Sequence, residues 1–212
     1  MMKATWMLPI LFVSSQATAQ TDQHMPQDPP SLFSVDKLTL AAGYSKAYNS
    51  KNQRYGTVDG SYRYDNSGAA YNLNILSAKK LADLYQPYLD YALLEHSDRN
   101  IHLFTTGIRH DFTFEQKELS LHLSGGIGMA YADWKESPIA GFDIESKSAT
   151  SLSGSFAAGM SYQFTELLGL DFSVRYDVYD LNLNVTDYAA KDTIKDFGSL
   201  SVMLGIVMQF EQ

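Results

Sequence analysis

From Lys37 to Phe210 apolar residues recur at every second position, over stretches longer than ordinary strands need. A period of two places alternate side chains on opposite faces of a strand, so each stretch carries one apolar face. Eight segments carry the pattern: 37–47, 55–65, 69–77, 102–114, 119–133, 152–164, 168–180 and 198–210. In 168–180 the apolar face is Leu168, Leu170, Phe172, Val174, Tyr176 and Val178, and the opposite face is Asp171, Ser173, Arg175 and Asp177. A water-soluble sandwich also alternates. Three features point instead to a membrane barrel. The segments reach the roughly 9–11 residues a tilted membrane strand needs, against about five or six for ordinary strands. Aromatics crowd segment ends, as at Tyr62 and Tyr64, Phe112 and Phe114, Tyr162 and Phe164, and Phe210. Such residues form the interfacial girdles of membrane barrels. Connections also alternate short (66–68, 115–118, 165–167) with long (46–54, 78–101, 134–151, 181–197).

The expected fold class is therefore all-β: an eight-stranded antiparallel transmembrane β-barrel with short periplasmic turns and long extracellular loops. Lipid offers no hydrogen-bond partners, so a closed ladder is the stable way for strands to cross it. The prolines agree with this reading, since none falls within the eight segments. Residues 88–96 are read as part of the loop 78–101, because a ninth strand would spoil the turn rhythm.

The start of the chain sets the compartment. Met1-Met2-Lys3, the apolar run Ala4–Val13 and the small-residue ending Ala17-Thr18-Ala19 have the form of a secretory signal peptide over residues 1–19. Residues 20–36, with Pro26, Pro29 and Pro30, are expected to form a flexible periplasmic tail, and 37–212 the barrel. The chain has no cysteine, which excludes a disulfide scaffold, a Cys-ligated metal centre and a cysteine nucleophile. Its net charge of -8 argues against nucleic acid as a partner. No cofactor or metal site is expected.

An eight-stranded barrel is just wide enough for side chains to fill. By phase, Asp59, Arg63, Arg109, Asp111, Asp171, Arg175 and Asp177 point inward as a charge network. Such charges must pair or bind water. They therefore form either an internal plug or the lining of a narrow ion path. His122-Leu123-Ser124 has the His-x-Ser spacing of outer-membrane lipid A deacylases, but both polar side chains face the interior, away from lipid, so catalysis is not expected. In the loop 78–101, Leu84, Tyr85, Tyr88, Leu89 and Tyr91 are the candidate partner-binding residues, since exposed apolar clusters often mark contact surfaces. The alternative is that the flanking strands extend past the membrane there. Lys46, Lys51 and Arg54 in the first long loop suit acidic glycans or lipopolysaccharide phosphates.

The barrel resembles the OmpX/Ail/Lom family of small outer-membrane proteins, within the wider OmpA-like group. The residues that carry the resemblance are Leu40-Ala41-Ala42-Gly43-Tyr44, Tyr62-Arg63-Tyr64, Ala157 to Phe164, and Leu170 to Tyr176. The sequence departs from the family at its end, where Glu211-Gln212 follow Phe210. The resemblance implies a monomeric, non-catalytic protein of the bacterial outer membrane. It implies surface loops for adhesion, virulence or host colonisation, and contacts with lipopolysaccharide, host surface proteins or glycans. A small porin or ion channel is the alternative.

Overall fold

The computed structural model describes residues 34–49, 67–114, 118–137, 143–186 and 191–210. Nine strands are present among the described residues: β1 Val35–Asn49, β2 Ser67–Ser77, β3 Gln86–His96, β4 Arg99–Thr113, β5 Leu119–Trp134, β6 Asp143–Ile144, β7 Ser148–Gln163, β8 Leu168–Thr186 and β9 Lys191–Gln209. Eight of them close a barrel in which each strand pairs antiparallel with the next and β9 pairs with β1. The two-residue β6 lies along the far end of β8, outside the closed ring.

The alternation does what lipid requires. Leu40, Phe104, Ile127, Leu152, Phe156, Leu204 and Ile206 stand exposed on the outer wall. Ser153, Ser155, Asp171, Ser173 and Arg175 are buried within. In β8 the pattern inverts along the strand. Beyond Val178 the outward residues become Asp180, Asn182 and Asn184, and the inward ones Tyr179, Leu181, Leu183 and Val185. That inversion marks where lipid gives way to water: the barrel continues above the membrane as an ordinary apolar-cored sheet. Both chain ends of the barrel, with connections 78–85, 114–118 and 164–167, lie at one end, here the inner end. At the other end β1 stops and β2 starts, 97–98 joins β3 to β4, β5 stops and β7 starts, and β8 stops and β9 starts. The sequence separating β1 from β2 and β5 from β7 is the longest between barrel strands, and the longer loops face the exterior in such barrels, which makes this the outer end.

One strand assignment needs correction. Residues 86–96 are strand β3, paired with β2 on one side and β4 on the other, and not part of a loop. The predicted strand 55–65 lies outside the described residues, as do the proposed signal peptide, Asp59, Arg63, Lys51, Arg54 and the terminal Glu211-Gln212. The predicted tail 20–36 reaches the described residues only at its end, where Val35 and Asp36 already belong to β1. Two physical features hid β3. Pro87 lies within it, but pairing with β2 begins only at Tyr88, so no ladder bond from that side is lost. The turn behind it is tight: Ala82 and Asp83 both adopt positive φ (51° and 56°), and Leu84 N–H reaches the Leu81 carbonyl at 3.2 Å. Two left-handed central residues are the mark of a hairpin turn that favours glycine and asparagine. Ala82→Gly is expected to stabilise the barrel by about 1 kcal/mol, read from equilibrium unfolding in lipid vesicles.

A bulge adjusts β9. Tyr48 pairs with Gly198 but Asn49 with Asp196, leaving Phe197 as an extra residue. A bulge re-aims side chains. Here it turns Asp196 inward, above inward-facing Ser199, Ser201 and Met203.

Candidate functional site

The lumen is built in three layers. At the inner mouth Lys37 Nζ lies 3.1 Å from Asp111 Oδ2, and Arg109 Nε donates to Asp111 Oδ1 at 2.6 Å. Gln86 Nε2 donates to Asp36 Oδ2 at 2.8 Å. His122 Nε2 and Asp171 Oδ2 are 2.8 Å apart, and Ser161 Oγ donates to the same oxygen at 2.7 Å. A polar cavity of about 560 Å³ opens at this mouth, with Lys37, Asp111, Ser161 and Gln209 in its wall.

The middle layer is tighter. Arg175 is buried and donates from Nε to both Asp177 oxygens, at 2.8 and 3.0 Å. Its Nη1 donates to Asp90 Oδ2, and its Nη2 approaches Thr105 Oγ1 at 3.4 Å. Asn72 and Asn74 donate to the other Asp90 oxygen at 2.8 and 3.1 Å. Only a small cavity of about 40 Å³ remains beside these groups.

The outer layer is apolar, then sealed. Leu94, Ile101, Leu103, Trp134, Leu181, Leu183 and Val185 fill the lumen with almost no exposure. Above them Arg99 is fully buried, with Asp98 Oδ1 and Asp196 Oδ2 each at 2.7 Å. Its guanidinium carbon sits 5.2 Å from the centre of the Trp134 ring, within cation–π range.

No protein-family model matches the chain, and no curated protein matches it. Its architecture does match solved structures. Neisserial surface protein A superposes with a TM-score of 0.55 at 17% identity, over 82% of this chain and 96% of that one. OprG of Pseudomonas aeruginosa gives 0.54 at 14% identity, over 84% and 98%. The fold is that of the small outer-membrane β-barrels. The Ail protein of Yersinia pestis is a looser match, at 0.47 and 17% identity over 83% and 99%. Together with the lipid-facing belt, this fold places the chain in the bacterial outer membrane.

Within this barrel, Arg109, Asp111, Asp171, Arg175 and Asp177 all sit in the lumen, in separate layers joined by neighbours. The partners missed in the sequence are Lys37 and Asp90, together with the Asp98–Arg99–Asp196 cluster; His122, placed in the interior by its phase, is joined to Asp171. Asp90 was hidden because its strand was read as loop. Asp196 was hidden because 181–197 was read as a connection, whereas β9 begins at Lys191 and its bulge turns Asp196 inward. The candidate contact residues separate. Tyr88 is buried in the lumen, while Leu89 and Tyr91 stand on the lipid face of β3. Leu84 and Tyr85 belong to the turn at the inner end, where His110 Nδ1 lies 3.0 Å from the Leu84 carbonyl. The five do not form one outward loop surface. β1 pairs directly with β2, so β2 runs opposite to the direction expected for 69–77, which carries 78–85 to the inner end.

The His122 ring rests on Gly159. A Cβ at Gly159 would collide with the ring and lie 2.6 Å from the Phe172 carbonyl oxygen. Gly159→Ala is therefore expected to push His122 off Asp171 and to cost about 1–3 kcal/mol, measured by unfolding.

Proposed function

We propose that this barrel is a non-catalytic and non-conducting scaffold that presents its outer-end connections, 50–66 and 135–147, for attachment to host surface proteins or glycans. The closed outer end carries the reading. A water path from the inner mouth would have to cross the Arg175 layer and then the leucine and tryptophan fill beneath Arg99. Buried ion pairs and close-packed apolar side chains leave no room for a hydrated ion. Planar-bilayer recordings are expected to show no steady unitary current. Opening would require damage to both barriers, so Arg175→Ala alone also stays closed. Steady currents from the wild-type barrel would overturn the reading and favour the pore.

The lumenal His122 supports the non-catalytic half. Its Nε2 is committed to Asp171, and Ser161 bonds the carboxylate rather than the imidazole. No relay from carboxylate through histidine to a hydroxyl results. His122→Ala is expected to leave the lipid A mass spectrum of the cells unchanged. A lost deacylation product would overturn this. For attachment, replacing 135–147 with a Gly/Ser linker of equal length is expected to reduce binding of whole cells to host matrix. Residues 1–19 are proposed as the signal peptide, which places Gln20 at the mature N-terminus by protein sequencing.

A further inference from the structure

The chain enters the barrel at the rim of its inner mouth. The Ser34 carbonyl accepts the Ala78 N–H at 2.8 Å, one step beyond the last ladder pair of β1 and β2, Val35 with Ser77. On the other side of β1, Phe210 N–H donates to the Asp36 carbonyl at 2.9 Å. The residues that precede Ser34 therefore start between the connection 78–85 and Phe210. That is the edge of the open polar cavity of about 560 Å³.

The lip of the cavity there is apolar and basic. Leu84 and Phe210 both line the cavity, yet they stand 54% and 45% exposed. Leu81, on the same turn as Leu84, is exposed as well. The turn is held in place. Leu81 N–H donates to the Tyr85 carbonyl at 2.6 Å and Tyr85 N–H to the Leu81 carbonyl at 3.0 Å, across the left-handed Ala82 and Asp83. A turn fixed in this way presents its leucines with little ordering left to do. Lys80 also lines the cavity, and among the described residues neither Lys79 nor Lys80 has an ion-pair partner. Deeper in the wall the charges are already paired, Lys37 with Asp111 and Asp36 with Gln86.

The chain itself supplies a matching occupant. Residues 20–33 hold Asp22 and Asp28 and neither lysine nor arginine, and they end on Leu32 and Phe33. Pro26, Pro29 and Pro30 carry no N–H, so fewer backbone donors need partners when this segment lies on a surface. Fully extended it spans up to about 45 Å, ample to cross the mouth of an eight-stranded barrel. Tethering at the rim gives it an effective concentration on the order of millimolar, so contacts too weak to hold a free ligand suffice.

We propose that residues 20–33 fold back over the inner mouth as a strap, with Leu32 and Phe33 seated on Leu84, Leu81 and Phe210 and the aspartates toward Lys79 and Lys80. The strap shuts the polar cavity to periplasmic solutes, as the Arg99 seal shuts the lumen at the outer end. Its length rests on the signal-peptide reading, which protein sequencing tests separately. It is independent of the attachment role, which belongs to the outer end.

The chain has no cysteine, so introduced thiols report alone. The test uses the mature barrel in nanodiscs of phosphatidylethanolamine and phosphatidylglycerol, where both mouths meet solvent. Ser120→Cys puts a thiol in the cavity wall, and its reaction with a charged maleimide is timed with and without residues 20–31. A strap docked about nine-tenths of the time shields the thiol about tenfold, so the deletion is expected to raise the rate by about that factor. Leu32→Asp with Phe33→Asp, in the full-length mature chain, is expected to raise it as much. Glu166→Cys, in a turn at the same end, is expected to react equally in every form. Ser201→Cys, buried beside Arg175, is expected to stay unreactive in every form, which shows that the barrel itself has not opened. A fluorophore on Ser31→Cys is expected to escape a quencher carried on lipid chains. An unchanged Ser120→Cys rate after the deletion would overturn the proposal. So would quenching at Ser31→Cys, which would put the segment in the bilayer instead of over the mouth. Neither result bears on whole-cell attachment.

Discussion

Arg175→Ala is expected to destabilise the barrel by about 3–5 kcal/mol, because it strands two carboxylates in the lumen. Asp177 receives two bonds from Arg175 Nε, and Asp90 is held between Arg175 and the two asparagines. All three charged side chains are at most 5% exposed. Removing the guanidinium leaves two like charges facing each other with little water to share. The triple variant Arg175→Met, Asp90→Asn, Asp177→Asn removes the charges together and is expected to recover most of the loss, since an apolar or neutral replacement avoids desolvating ions at all. Equilibrium unfolding by denaturant in lipid vesicles, followed by tryptophan fluorescence, measures both. If the single variant unfolds at the wild-type midpoint, the central layer is not what holds the middle of the barrel.

The sequence disclosed the physics of this barrel more fully than its order of strands. Where one face meets lipid and the other a polar lumen, alternation is strong, and segments 168–180 and 198–210 were legible as the membrane-crossing parts of the longer strands β8 and β9. In β3 the alternation is weak because lumenal Tyr88, Ala92 and Leu94 are themselves apolar. Lipid-facing Leu89, Tyr91 and Leu93 then have little contrast across the strand. Pro87 and a glycine-free hairpin turn removed the remaining signals. The lumen was legible as a set of charges, but pairing was not: Arg175 finds Asp90 across 85 positions of sequence, a contact that only barrel closure creates. The outer seal was hidden for another reason. Arg99 and Asp98 look like a solvated turn, and only the bulge at Phe197 brings Asp196 inward to meet them.

Arg99→Ala tests whether that seal belongs to the membrane barrel or to its extension. The side chains of Arg99, Asp98 and Asp196 are at most 3% exposed, so deleting the cation leaves two carboxylates without their shared partner. The local cost is again about 3–5 kcal/mol. It is expected to fall on the outer extension alone. Above Val178 the wall faces water, so freed backbone groups there find hydrogen-bond partners. Below it they would face hydrocarbon, which holds the ladder closed. Amide exchange is therefore expected to accelerate by about two to three orders of magnitude in Leu181–Val185 and around Asp196. Gly169–Val178 and Leu200–Met208 are expected to keep wild-type protection. Bilayer recordings should stay silent, because the Arg175 layer closes the lumen on its own. Exchange rising equally along the whole of β8 would mean that seal and membrane ladder unfold as one unit, and the barrel would then be a single cooperative cylinder rather than a lipid-clamped ring carrying a water-clamped cap.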